Sequence, residues 1–596
     1  MPSTPTRYRI VPLDPHAHLF EVSVTIDDPD PSGHRFALPV WIPGSYLVRE
    51  FARHFVHVRA SSNGAPLPVE KIEKNAWRTA PAQGSVTVVA QVYAFDLSVR
   101  AAYLDATRGY LNGPSVFLLP EGRAHAPCLV EIAAPMGAQY ANWRVATTLP
   151  RDGAPERGFG AYRAADYDEL LDHPVEMADF AWARFDVRSV PHEIAITGRH
   201  DADLGRLSRD LARICDWQVG MFGGTPPFDR YLFQVTAVGD GYGGLEHRSS
   251  TSLLCRRDEL PHAASGEIDD DYLTFLGLAS HEFFHVWNVK RIKPAAFVPY
   301  DLSREAYTRQ LWAFEGFTSY YDDLTLVRCG LIEPERYLEL LGRTITTVLR
   351  APGRHTQSLA ESSFDAWIKY YRQDENSPNA VVSYYAKGAL VGCALDLILR
   401  RDGNASLDDL MRALWERYGR VGIGVPEDAI PRLASEIAGR DLSSFFARYV
   451  DGTEDAPLAE LLADFGVTLH LRPASGTKDR GGKPASGSTP RCTLGVRLAD
   501  QRLATVLRDG PAARAGLSGN DVLVAIGGVK ATPERIAATL ARYAPGETVE
   551  VHAFRRDELL RFDVTLDAAT DDTCHLTLDS APSPQADARR NAWLKG

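Results

Sequence analysis

The pentapeptide His281-Glu282-Phe283-Phe284-His285 is the stretch of this sequence best suited to chemistry. On a helix, residues four apart stand one above the other, so both imidazoles can reach a single ion. Zinc accepts histidine nitrogens at about 2.0–2.1 Å, and two such ligands plus a third leave one position for water. Glu282 follows the first histidine and is placed to take a proton from that water. The same pattern also arises by chance in helices, where a buried histidine is often only a hydrogen-bonded core residue. A third ligand therefore carries much of the weight.

Two acids compete for that role. Glu305 sits among Asp301, Ser303 and Arg304, and fits the first turn of a helix, where the dipole stabilises an acid. Glu315 is flanked by Trp312, Phe314, Phe317 and Tyr320. A carboxylate in such surroundings is costly unless paired or bound to a cation. Glu315 is the choice and Glu305 the alternative.

The run His281 to Pro294 (HEFFHVWNVKRIKP), followed by Trp312-Ala-Phe-Glu-Gly-Phe-Thr318, resembles the glycyl-aminopeptidase family. Its members are gluzincin zinc metallopeptidases with a C-terminal PDZ domain, and the aminopeptidase N family shares the same elements more distantly. The 29 residues between His285 and Glu315 exceed the usual spacing in that larger family and imply an extra loop. The resemblance reaches two further segments. Gly243-Gly244-Leu245-Glu246 is similar to an exopeptidase motif in which an edge strand aligns the peptide and the glutamate binds its free α-amine. Tyr385-Ala-Lys-Gly388 is similar to a segment whose tyrosine hydroxyl stabilises the tetrahedral oxyanion, with Tyr384 left as the packing residue. The resemblance thus implies one zinc per chain on His281, His285 and Glu315. It assigns catalysis to Glu282 and Tyr385 and substrate binding to Gly243, Gly244 and Glu246, with a preference for small first residues such as Gly or Ala. The glycines at 239, 241 and 244 also match a dinucleotide fingerprint. That reading needs a helix opening at the last glycine, and the β-prone run after Gly244 argues against it. The cations Lys290, Arg291 and Lys293 receive no role.

These residues need elements to hold them. Residues 1–190 alternate apolar and polar positions in short runs such as Phe20 to Ile26 and Ser85 to Tyr93, which predicts a β-rich domain of antiparallel strands, a sandwich or partly open barrel. Residues 191–330 are expected to form the catalytic domain, and the helical period of 331–472 a domain closing the cleft. The segment 473–490, rich in Gly, Ser, Pro and Lys, reads as a flexible linker. Residues 491–578 resemble a PDZ domain of the protease-associated bacterial kind. There Thr493-Leu-Gly-Val496 would present backbone N–H groups to a peptide carboxylate. The polar tail 579–596 is expected to be disordered. The fold class is thus multidomain α+β: a β-rich N-terminal domain, a thermolysin-like gluzincin domain with a helical C-terminal part, and a PDZ domain. By fold analogy, Asn112 to Phe117 is expected to approach the cleft.

Composition sets the limits. With 596 residues, several domains are needed. A net charge of −12 argues against nucleic-acid binding. No uninterrupted apolar run of spanning length occurs, and the N-terminus lacks the apolar core of a signal peptide, so a cytoplasmic protein is expected. The seven cysteines are scattered and read as reduced thiols. The expected partners are peptides with free N-termini and a C-terminal peptide for the PDZ groove. The rival functions are a zinc endopeptidase capturing substrates through the PDZ, and a PDZ scaffold or chaperone with a vestigial metal site.

Overall fold

The computed structural model describes residues 4–263, 266–403, 405–485 and 489–596. The protein is multidomain α+β, with a β-rich N-terminal part and a helical C-terminal part. It divides into two compact units, residues 1–306 with 418–424, and residues 307–417 with 425–596.

In the first unit, alternation makes the strands. Phe20, Val22, Val24 and Ile26 face the core from Leu19–Ile26, and Val86, Val88, Ala90 and Val92 do so from Val86–Tyr93. These two strands pair at the centre of a seven-stranded sheet. The sheet is not wholly antiparallel, because Thr6–Asp14 pairs parallel with Cys128–Ile132. A parallel pair needs a long crossover, and the chain between them supplies strands of two smaller sheets.

A second, five-stranded sheet runs in the order Ala181–Val187, Val190–Thr197, Tyr231–Val238, Ser250–Arg256, Gly243–Glu246. Its last strand is an edge, antiparallel to Ser250–Arg256, with Glu246 opposite Thr251. The chain leaves Gly244 as a strand and opens no helix, which removes the dinucleotide reading. The helix Asp270–Phe284 is capped by the Asp269 side chain, which accepts from Tyr272 N. It packs Phe283 on Tyr231 at 4.8 Å between ring centroids, while Gln218 of the helix Leu204–Met221 donates to Ser280.

In the second unit, Leu311–Phe314 and Gly316–Arg328 are two helices broken at Glu315, and Gly316–Arg328 lies against Ala386–Asp402. The contact is a crossing of glycines. A Cβ on Gly316 would stand 2.6 Å from the Cα of Gly388, and one on Gly388 would stand 2.6 Å from the Trp312 carbonyl oxygen. Lys387 donates to the carbonyls of Arg354 and Thr453, which pins the start of the second helix. Among the described residues, no helix is long and apolar enough to cross a membrane.

The C-terminal segments depart from expectation. Residues 473–485 do not hang free. Asp479 accepts from Arg472 and Ser475, Arg350 donates to the Asp479 carbonyl, and Gly482 N donates to Cys574 O at 2.7 Å. Residues 486–488 of the same segment lie outside the described residues. The tail forms a helix, Pro584–Leu594, whose Trp593 is fully buried and donates to Tyr320 Oη at 2.8 Å. Between them, the strands Val496–Ala499, Arg502–Val506, Val522–Ile526, Thr548–Arg555 and Glu558–Thr565 form a sheet with its own core around Leu503, Leu523, Ile536 and Val551. The chain enters this module after Val467–Arg472 and returns as Thr573–Leu578, and these two strands pair with each other.

Candidate active site

The first unit holds six of the expected site residues, Gly243, Gly244, Glu246, His281, Glu282 and His285. His281 lies in the last turn of its helix and His285 is the C-cap, still in helical conformation. Their Nε2 atoms are 3.0 Å apart, and the rings stand nearly perpendicular at 85°. The Nδ1 of His285 faces the Asn288 carbonyl oxygen at 2.6 Å. A carbonyl only accepts, so Nδ1 carries the proton and Nε2 presents a lone pair toward His281. An imidazole oriented from behind by a carbonyl is the usual arrangement at a metal ligand.

Two carboxylates adjoin the pair. One oxygen each of Glu246 and Glu282 and a ring nitrogen of His285 lie within 4.8 Å of one another. Glu282 is pressed against the edge strand, since a Cβ on Gly244 would overlap its carboxylate and stand 2.6 Å from its Cγ. Glu246 is only 3% exposed, and among the described residues its Oε1 has no hydrogen-bond partner. An unmet buried carboxylate oxygen calls for a donor from outside the chain.

Two turns of the N-terminal domain add Gly44 and Arg100, which the sequence did not point to. Gly44, at φ 87°, lies so close to Glu246 that a Cβ would stand 2.5 Å from both carboxylate oxygens. Arg100 donates to the Gly244 carbonyl at 3.2 Å. The segment Asn112 to Phe117 is buried, with Asn112 Nδ2 donating to the Val99 carbonyl and Ser115 to that of Asn112. A lone glycine and a lone arginine far along the chain give no local signal.

The cations after His285 also acquire partners. Lys290 binds Asp172 at 2.7 Å, and Arg248, just past Glu246, binds the other oxygen at 2.9 Å. Burial pushes the Asp172 carboxyl up, but Lys290 and Arg248 outweigh it and hold the group well below the usual range. Arg291 donates to the carbonyls of Arg248, Val286 and Pro227. Lys293 stacks over Tyr300, and burial lowers its pKa to about 8. Lys290 and Arg291 thus fasten the loop after His285 to the end of the edge strand.

The second unit holds Glu315 and Tyr385. Glu315 is 2% exposed and forms the hinge of the two broken helices. Tyr385 precedes the helix Ala386–Asp402, and the Gly316–Gly388 crossing brings these two neighbourhoods together. Burial, and then the charge of Glu315, push the Tyr385 hydroxyl well above its usual pKa, so it is a proton donor at neutral pH. Its ring packs against Tyr384 at 4.7 Å and Tyr370 at 5.4 Å, and its hydroxyl is 3.2 Å from that of Tyr371. Tyr384 is fully buried, as the packing role requires. Glu305 is in an irregular, partly exposed stretch rather than a helix first turn, and the next helix begins only at Leu311.

A crystal structure of an aminopeptidase N family protein from Idiomarina loihiensis superposes with a TM-score of 0.95 at 41% identity, covering 99% of this chain and 100% of that one. The chain belongs to the aminopeptidase N family. Residues 7–179 match the peptidase M61 N-terminal domain, and residues 274–391 match the M61 glycyl aminopeptidase domain. The second match contains His281, Glu282, His285, Glu315 and Tyr385. The protein is a peptidase. An M1 zinc metallopeptidase from Deinococcus radiodurans is far more distant, at 15% identity and a TM-score of 0.47 over 77% of this chain and 95% of that one. Among curated proteins, none matches.

Proposed function

We propose that this peptidase is a zinc-dependent aminopeptidase that releases N-terminal residues, small ones such as glycine or alanine, from peptides. The observation that carries the reading is the histidine pair, whose facing Nε2 atoms, one of them backed by the Asn288 carbonyl, suit one shared cation. His281, His285 and Glu315 are the ligands in this reading, which makes the site of the thermolysin-like gluzincin type. Zinc bound there supplies Lewis acidity, polarising a carbonyl and making water easier to deprotonate.

The chain's own groups do the rest. Glu282 takes the proton of the attacking water and returns it to the leaving amine. Tyr385 donates to the carbonyl oxygen as it gains charge. The edge strand Gly243–Glu246 aligns the peptide backbone along Gly243 and Gly244, and the missing Cβ of Gly244 leaves room for the Glu282 carboxylate. Glu246 forms a charge-assisted bond to the α-ammonium and confines cleavage to the first residue. In the C-terminal module, Thr493, Leu494, Gly495 and Val496 lead into the edge strand Val496–Ala499. Gly495 has a positive φ, and Thr493 Oγ1 accepts from its N–H. A PDZ-type groove that takes a peptide C-terminus fits that arrangement.

The test is an assay of glycyl and alanyl peptides, free and N-acetylated, before and after chelation. Cleavage of the free peptides alone, abolished by chelator and restored by zinc, is the expected result. Activity that survives chelation would remove the metal, and equal cleavage of acetylated peptides would favour the endopeptidase.

A further inference from the structure

We propose that Tyr371 is the positioning residue of the Tyr385 hydroxyl, an inference that rests on Tyr385 being the oxyanion donor. The two hydroxyl oxygens are 3.2 Å apart, so one donates to the other. Each phenol has a single proton. If Tyr385 spends its own on the substrate oxygen, Tyr371 must donate to Tyr385, which fixes the direction of the useful proton and polarises it.

The neighbouring rings hold the Tyr385 side chain. The Tyr385 ring is stacked against Tyr370, with 27° between the planes, and against Tyr384, with 29°. Tyr370 Oη is 3.3 Å from Ser383 Oγ, and that oxygen accepts from Ala386 N at 3.1 Å, so the ring stack is tied to the first turn of the helix after Tyr385. The rings fix where the oxygen stands, and Tyr371 fixes where its proton points. Tyr371 does not itself touch the reacting atoms in this account.

The experiment is a double-mutant cycle on the full-length zinc enzyme with an alanyl peptide, reading kcat and KM separately. Tyr385→Phe is expected to lower kcat by 10²-fold or more. Tyr371→Phe, which removes one oxygen atom and keeps the ring, is expected to lower kcat about tenfold with KM and Tm unchanged. The double variant is expected to be no slower than Tyr385→Phe, because Tyr371 acts only through Tyr385. Full kcat in Tyr371→Phe, or a double variant slowed by the product of the two single effects, overturns the proposal and leaves the role of Tyr385 standing. Full kcat in Tyr385→Phe overturns both.

Discussion

Gly244 is in contact with Glu282: a methyl group on this glycine would occupy the space of the carboxylate. Gly244 is not among the glycines with positive φ, so alanine fits its backbone. The cost of Gly244→Ala should fall on the position of Glu282 rather than on the fold. We expect kcat to drop by roughly 10²-fold, since displacement of a catalytic group by about 1 Å costs that much, with Tm within a degree or two. Loss of Tm in proportion to loss of activity would contradict it.

The two buried carboxylates should separate kinetically. Glu282→Gln removes the proton acceptor and is expected to lower kcat by about 10²–10⁴-fold. Glu246→Gln removes a charge-assisted bond of about 1.5–3 kcal/mol, which corresponds to a rise in KM of about ten- to a hundredfold. It should also narrow the difference between free and acetylated peptides. Steady-state kinetics of both variants on both substrates reads this out.

Asp172 neutralises Lys290 and Arg248 in a buried site. Asp172→Asn leaves Lys290 charged and without its carboxylate, a change worth about 3–5 kcal/mol in buried pairs. A fall in Tm of several degrees is expected. Asp168→Asn, which loosens only a half-exposed contact to Arg248, should shift Tm little.

Acid should weaken the first unit through two buried histidines. Burial lowers the pKa of His173 and of His192 to about 4 in each case. Below about pH 6.5 the unfolded chain binds protons that these rings refuse, so stability falls as pH drops from about 6.5 to 4. His192 lies among Phe185, Phe228, Tyr231 and Phe283. His192→Phe should flatten the slope of Tm against pH in that range, measured by differential scanning fluorimetry at fixed ionic strength.

Local patterns carried much of the site. The histidine spacing needs only one helix, and the Gly-Gly-Leu-Glu strand needs only its neighbour, so both are legible in a few consecutive residues. What escaped depends on distant parts of the chain. Gly44 and Arg100 reach the edge strand from turns of the N-terminal domain. The glycine content of 473–490 suggests flexibility, yet Gly481 and Gly482 stand where backbones meet. A Cβ on Gly481 would stand 2.9 Å from the Cys574 carbonyl, and one on Gly482 would stand 2.5 Å from that of Glu339. The helix Pro584–Leu594 was hidden by its polarity, since Trp593 and Leu594 alone in it are buried.

That tryptophan has a consequence for how the protein is made. Its ring packs near Tyr337 and Phe465, and its backbone carbonyl accepts from the buried Arg328. The core around Gly316–Arg328 therefore lacks a wall until residue 593 has left the ribosome. The first unit can collapse during translation, while the second must wait for its last helix, a long-range closure that slows folding. A nascent chain stalled within the C-terminal module would carry His281 and His285 in a finished unit, with Glu315 and Tyr385 still in an unfinished one.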